Sequence, residues 1–327
     1  MPPGRESTAA GTLHETRSQH PDDMADPLFP AQIACWPWAE VAVVLCAAAW
    51  GGILGSFINV VVYRVPRGES LVAAGSRCPA CGTPIRPGDN IPVIGWLRLR
   101  GRCRSCGLSI SAHYPLVEAS CGILVAGLAA AELIGGGRWL PGFGDAFPAG
   151  IDKLLRGDWR LLLAFILHAA VILMLITWSL LDRAGWQPPD RQLVIPLAVS
   201  IGLAAAVPAL APPPAVPASL LPTGWRLGAN AGWLAAGIGA ATGWLLGRVF
   251  SAAGIRLGLP LLGSVLGWQA VTVMAVVSAV AIRAAGWFGQ QPRGLQLFLP
   301  VAATVWIAFW REWLALGRAL TAWLPAG

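Results

Sequence analysis

Long stretches of apolar side chains alternate with shorter polar connectors along most of this 327-residue chain. Seven such runs fall at about 38–63, 115–135, 161–181, 193–211, 229–250, 258–282 and 295–311, each near the ~20 residues a helix needs to cross hydrocarbon. The pattern predicts an all-α polytopic membrane protein of about seven transmembrane helices. An eighth segment, 313–324, is apolar but interrupted by Arg318, so it either crosses or lies in the interface. Residues 1–36 are polar and mixed in charge, with no basic stretch leading directly into an apolar core, and read as a disordered tail and not a cleavable signal peptide. The divisions that follow are this tail, a first transmembrane helix over 37–63, a polar loop domain over 64–113 and a helical membrane domain over 114–327. Within the last, Pro212, Pro213 and Pro214 cannot hold a helix, so 208–222 makes a connection.

Composition agrees with that class. Hydrophobic residues make up 56% of the chain and charged residues 12%, against about 25% charged in soluble domains. The net charge of +7 does not point to nucleic acid, because the arginines are spread over loops and helix ends and form no aromatic-interleaved basic face. Lipid is the expected surrounding and no nucleic-acid partner is expected. The charge reads as orientation. Residues 64–104 hold eight arginines (64, 67, 77, 86, 98, 100, 102 and 104) against Glu69 and Asp89, and short loops so enriched stay on the cytoplasmic side. With that loop inside, the N-terminus lies outside, 136–160 is external, the third helix ends at the cytoplasm near Asp182, 208–222 is external, and the turn holding Arg248 and Arg256 returns to the cytoplasm. The C-terminus is cytoplasmic. Arg283 and Arg293 fall on the outer side, against the rule.

The same loop carries the strongest chemical signal. Cys78-Pro79-Ala80-Cys81 and Cys103-Arg104-Ser105-Cys106 are separated by 21 residues, and each knuckle is followed by a glycine, Gly82 or Gly107. Two such knuckles fold over one tetrahedral zinc, each giving two thiolates from a tight turn. Paired disulfides are the competing reading and require an oxidising compartment. Between the knuckles, Pro87-Gly88-Asp89-Asn90 marks a turn ahead of an apolar patch at Val93–Leu97, read as an insert protruding from a compact zinc ribbon. A domain this small buries little core, so the metal is expected to supply on the order of 10 kcal/mol of its folding free energy.

Ionisable groups at membrane depth are costly and so are candidates for chemistry. Asp182 stands at the end of the third run, where a carboxylate opposes the helix dipole; the plain alternative is a solvated residue paired with Arg183. Asp190, after Pro188-Pro189, reads as the N-cap of the next helix. Glu118 reads as a first-turn acid of the second helix, and His168 as a hydrogen-bonded interior residue.

The run Gly55-Ser56-Phe57-Ile58-Asn59 through Tyr63-Arg64-Val65-Pro66-Arg67-Gly68-Glu69-Ser70, the cysteine knuckles, Asp89-Asn90-Ile91-Pro92, Gly101-Arg102-Cys103 and Tyr114-Pro115-Leu116-Val117-Glu118 resemble the N-terminal domain of the prepilin leader peptidase / N-methyltransferase family over residues 51–122. Leu181-Asp182 and Pro189-Asp190 resemble, more weakly, a later family motif. The resemblance implies a bacterial inner-membrane aspartic peptidase that trims type IV prepilins or type II secretion pseudopilins and methylates the new N-terminus with S-adenosylmethionine. It also implies two catalytic aspartates. The first maps onto Asp182. The second belongs to a Gly-x-Gly-Asp motif ahead of Leu266-Gly267-Trp268, and its position is Ile255, with Leu257 where a lysine often follows. No Asp or Glu occurs between 191 and 311. Ordinary cleavage is not expected from a lone carboxylate. Three readings stand: an enzyme in which Asp190 substitutes, a homologue that keeps leader binding or methyl transfer, and a non-catalytic membrane scaffold. Glu69 and Asp89 are the loop acids available to a basic leader, with Asn90 and Glu118 beside them in the matching motifs.

Overall fold

The computed structural model describes residues 37–72, 75–138, 140, 143, 157, 159–212, 232–250, 253–287, 298–308 and 310. The tail at 1–36, most of the 136–160 connection, the proline-rich connection beyond 212, Arg293 and the segment 313–324 lie outside the described residues. Among the described residues the chain is helical, with no strand.

The first three apolar runs are the long helices α1 (Pro37–Arg64), α3 (His113–Ala129) and α4 (Trp159–Arg183), with the short α2 (Ile94–Arg98) in the loop between the first two. α3 continues through a π-helical turn at Ala130–Ile134. With their flanking turns, these three are long and apolar enough to cross a membrane. The later runs form helices of 11 to 20 residues: α5 (Val194–Ala206), α6 (Gly232–Gly247), α7 (Ala253–Leu266), α8 (Trp268–Trp287) and α9 (Phe298–Ala308). The run at 258–282, expected as one span, is thus two helices. They part at Gly267, whose φ of 89° lies in the left-handed region that only glycine adopts readily.

Small residues set how closely these helices pack. A Cβ added at Gly51 would lie 2.6 Å from the Cys121 carbonyl oxygen, and one at Gly55 2.9 Å from Glu118 Cα, so α1 and α3 meet almost backbone to backbone. Gly239 and Gly263 abut in the same way between α6 and α7, as do Gly243 and the Leu259 carbonyl. Repeats of small residues one turn apart are how apolar helices gain dispersion contact in lipid, where burial alone gives no drive. α4 packs on α7, where Leu175 and Leu299 fill the space beside Gly258. Leu175, Leu259, Leu262 and Leu299 are each at most 1% exposed at this crossing.

The loop domain is held by turns. Each knuckle closes on a single antiparallel bridge, Arg77 with Pro84 and Arg102 with Ser109. The insert does not protrude. Trp96 donates its indole N–H to the Ile110 carbonyl at 2.9 Å, Pro92 sits 3.3 Å from where a Cβ of Gly52 would be, and the Val93 amide donates to Glu118 Oε2 at 2.7 Å. Pro92, Val93 and Trp96 therefore dock the insert beside the α1/α3 hairpin, while Ile94 and Leu97 remain 58% and 60% exposed.

Candidate functional site

The Sγ atoms of Cys78, Cys81, Cys103 and Cys106 lie within 4.8 Å of one another. Backbone turns impose this. Gly82 N–H donates to the Cys78 carbonyl at 2.9 Å and Gly107 N–H to the Cys103 carbonyl at 3.0 Å, with both glycines at positive φ, 69° and 71°. Cys78 and Cys106 sulfurs are 3.7 Å apart. A tetrahedron with Zn–S bonds of about 2.3 Å has edges of about 3.8 Å, so the donor set fits a structural zinc held by all four residues. Thr83, whose Oγ1 is 3.3 Å from Cys81 Sγ, brings that thiol down to about 6 and favours the thiolate a metal requires.

Asp89 joins the insert to the second knuckle. Arg104 donates to both its oxygens at 2.7 and 2.6 Å, and Arg98 to one at 3.0 Å. The hydrogen bonds from Arg104, its charge and then Arg98 hold the carboxyl down to about 2. Asp89 is therefore an internal clamp between two arginines, already engaged before any basic partner arrives. Glu69 and Asn90 are exposed on the same loop. Glu118 lies in the second turn of α3, past the first-turn position expected for it, and satisfies Val93, whose φ of 61° and the 2.6 Å bond from Ile94 N–H to the Pro92 carbonyl form a strained γ-turn.

Asp182 ends α4, half-buried, and accepts a 2.6 Å hydrogen bond from the Gln187 amide. Ile255 stands near the start of α7, 4% exposed within the apolar core. The two helices run in opposite directions: Arg256 at the start of α7 donates to the Pro188 carbonyl just past the end of α4, at 3.3 Å. Counting at 1.5 Å per residue from the Leu175–Gly258 crossing, Ile255 and Asp182 differ by about 6 Å along the bundle. They share one end of it. Asp190 opens a 3-10 turn capped by Pro189 and makes no helix-capping bond; its carboxylate lies 3.3 Å from Arg256 instead.

One buried pair escaped the sequence reading. Glu132 and His168 meet at 2.6 Å between Oε1 and Nδ1, both nearly sealed from solvent, with Trp310 edge-on to the imidazole. His168 is the hydrogen-bonded interior residue expected. Glu132 was hidden because it lies inside an apolar run; an acid within a membrane-length stretch is the signal that finds it.

Residues 49–131 match the Bacterial Peptidase A24 N-terminal domain. A domain of that class thus covers α1 from its midpoint, the cysteine loop and α3. Over this region the chain is a relative of proteins named prepilin leader peptidase/N-methyltransferase: that of Myxococcus xanthus is 53% identical over 74 residues, 23% of this chain and 22% of that protein. The Stutzerimonas stutzeri protein is 41% identical over 107 residues, 26% of this chain and 37% of its own length. The Pseudomonas aeruginosa protein is 36% identical over 152 residues, 39% of this chain and 48% of its own length. The chain therefore matches less than half the length of each of these relatives. No solved structure matches.

Proposed function

We propose that the chain binds prepilin-type precursors at the cytoplasmic face of a bacterial inner membrane, through a domain shared with the prepilin peptidases, and does not by itself cleave them. What supports this reading is at the Asp182 end of the bundle, where the position that the resemblance assigns to a second acid is the buried Ile255 and the Asp190 carboxylate lies 3.3 Å from Arg256. Peptide hydrolysis by an aspartic mechanism needs two carboxylates sharing one proton, one activating water while the other donates to the scissile carbonyl. Removing one member of such a unit costs on the order of 10⁴ to 10⁶ in rate. The arginine-rich loop supports the cytoplasmic orientation. A leader is a short basic segment ahead of an apolar helix, so it reaches the membrane face where both the loop domain and Asp182 lie under that orientation. Zinc in the four-cysteine site would hold the loop in shape and take no part in bond breaking.

The test is co-expression with a candidate prepilin, followed by mass spectrometry of the pilin N-terminus and affinity capture of the complex. The precursor should co-purify uncut with both the unmodified chain and Asp182→Ala, and Ile255→Asp should restore cleavage that depends on Asp182. Leader removal by the unmodified chain, lost in Asp182→Ala, overturns the reading. The same spectra report N-terminal methylation, the second activity in the relatives' names.

A further inference from the structure

Beside Asp190, the structure holds a cavity of about 190 Å³ lined by Asp190, Leu193, Trp244, Arg248, Arg256 and Leu257, far larger than the roughly 10–15 Å³ one water requires. We propose that this cavity binds a phosphate group, with Arg248 and Arg256 as its ligands.

Charge is the first argument. Two guanidinium groups face the space against one carboxylate, which leaves the lining net positive. A basic leader peptide would be repelled there, so this site is separate from precursor binding. The second argument is how weakly the arginines are satisfied. Arg256 reaches Asp190 and the Pro188 carbonyl only at 3.3 Å each, and its buried Nε has no hydrogen-bond partner among the described residues. Asp190 is 65% exposed and solvated on its far side, so it neutralises Arg256 incompletely. Arg248 lies over the Trp244 ring, 4.6 Å from its centroid. That contact covers one side of the guanidinium, and no hydrogen bond from its N–H groups occurs among the described residues, so they are available to an oxyanion.

The third argument is place. Arg248 follows the last turn of α6 and Arg256 lies in the first turns of α7. The side chain of Trp244, 49% exposed, has the amphipathic character of residues at the headgroup level. Bidentate arginine contacts suit phosphate oxygens, and at a bilayer surface the phosphate is supplied either by an anionic phospholipid or by a free anion from solution.

Native mass spectrometry of the full chain in nanodiscs tests both sources. One arm uses phosphatidylcholine with phosphatidylglycerol, the other phosphatidylcholine alone with millimolar inorganic phosphate. In the first arm the unmodified chain should retain phosphatidylglycerol; Arg248→Gln and Arg256→Gln should each lower its occupancy about tenfold, the loss expected for one charged hydrogen-bonding group. Asp190→Asn, by removing the competing carboxylate, should raise it. Arg248 is exposed, so its variant should fold normally. Binding confined to the phosphate arm, with the same ranking of variants, assigns the site to a free anion. Equal occupancy in the unmodified chain and both arginine variants, or no adduct in either arm, overturns the proposal.

Discussion

The Glu132 carboxylate lies 2.6 Å from His168 Nδ1, across α3 and α4, with side chains 1% and 5% exposed. The pair joins the π-helical turn after α3 to the middle of α4, and the second carboxylate oxygen, Glu132 Oε2, has no hydrogen-bond partner among the described residues. A buried polar pair of this kind contributes little over an apolar substitute, but breaking it strands the remaining partner. His168→Leu and Glu132→Leu should each destabilise the folded protein by about 3–5 kcal/mol. The double variant should lose clearly less than the sum. Thermal unfolding in detergent of the four proteins measures the coupling, and strict additivity would show that the pair is not an interacting unit.

How much of this molecule was legible in its sequence follows from the range of the forces involved. The three long helices were legible because apolar length is a local property: the runs at 38–63, 115–135 and 161–181 became α1, α3 and α4 with small shifts. The cysteine cluster was legible for the same reason, since each knuckle is closed by bonds between residues a few positions apart. The docking of the insert was not. It depends on Val93 and Glu118, 25 residues apart, and on Pro92 reaching Gly52 on another helix. Nor was the break at Gly267, because hydropathy does not register a positive φ inside a continuous apolar run. The neighbours of Asp190 suit a helix cap, and the approach of Arg256, 66 positions later, takes its carboxylate elsewhere.

The close approach of α6 and α7 should tolerate no side chain. A Cβ at Gly239 or Gly263 would run into the backbone of the opposite helix, which cannot yield as a flexible side chain can. Gly239→Val and Gly263→Val should therefore lower the yield of folded, detergent-stable protein severely. Gly237→Val makes the control, since a Cβ there meets nothing within 4 Å. Fluorescence-detected size exclusion separates the cases: a monodisperse peak for Gly239→Val equal to that of Gly237→Val would contradict the backbone contact.

Acidification should dismantle the loop domain in a defined order. Zinc binding requires thiolates, so protons compete with the metal for all four sulfurs and the metal is expected to leave as the pH drops from 7 toward 5. Asp89 is held down to about 2 from an ordinary 3.8, so its stabilising contribution is fully present above about pH 4 and fades only as the pH falls through 2. The Asp89–Arg104 clamp thus outlasts the metal site. Atomic absorption across the pH range should find about one zinc per chain at pH 7 and loss by pH 5. Cys78→Ser should lack stoichiometric metal at every pH, and Asp89→Asn should keep it at pH 7. Full zinc retention in Cys78→Ser would exclude the four-cysteine assignment.

The γ-turn at Val93 depends on Glu118 for its persistence. A β-branched residue at φ 61° is strained, and such conformations survive only where surrounding contacts hold them. Here the hold is the 2.7 Å bond from the Val93 amide to the Glu118 carboxylate, which also seats the insert on α3. Glu118→Leu should remove that bond, leave the amide without its acceptor and loosen residues 92–97, at a cost of about 1.5–3 kcal/mol to the docked conformation. Glu118→Gln keeps an acceptor oxygen at the same reach and should retain most of the docking. Hydrogen exchange reads the difference directly. The amides of Val93, Gly95 and Leu97 should exchange at least tenfold faster in Glu118→Leu than in the unmodified chain, while those of the cysteine knuckles stay protected by their own turns. Unchanged exchange at Val93 would mean that the strained turn is held from within the loop and that Glu118 does not anchor it.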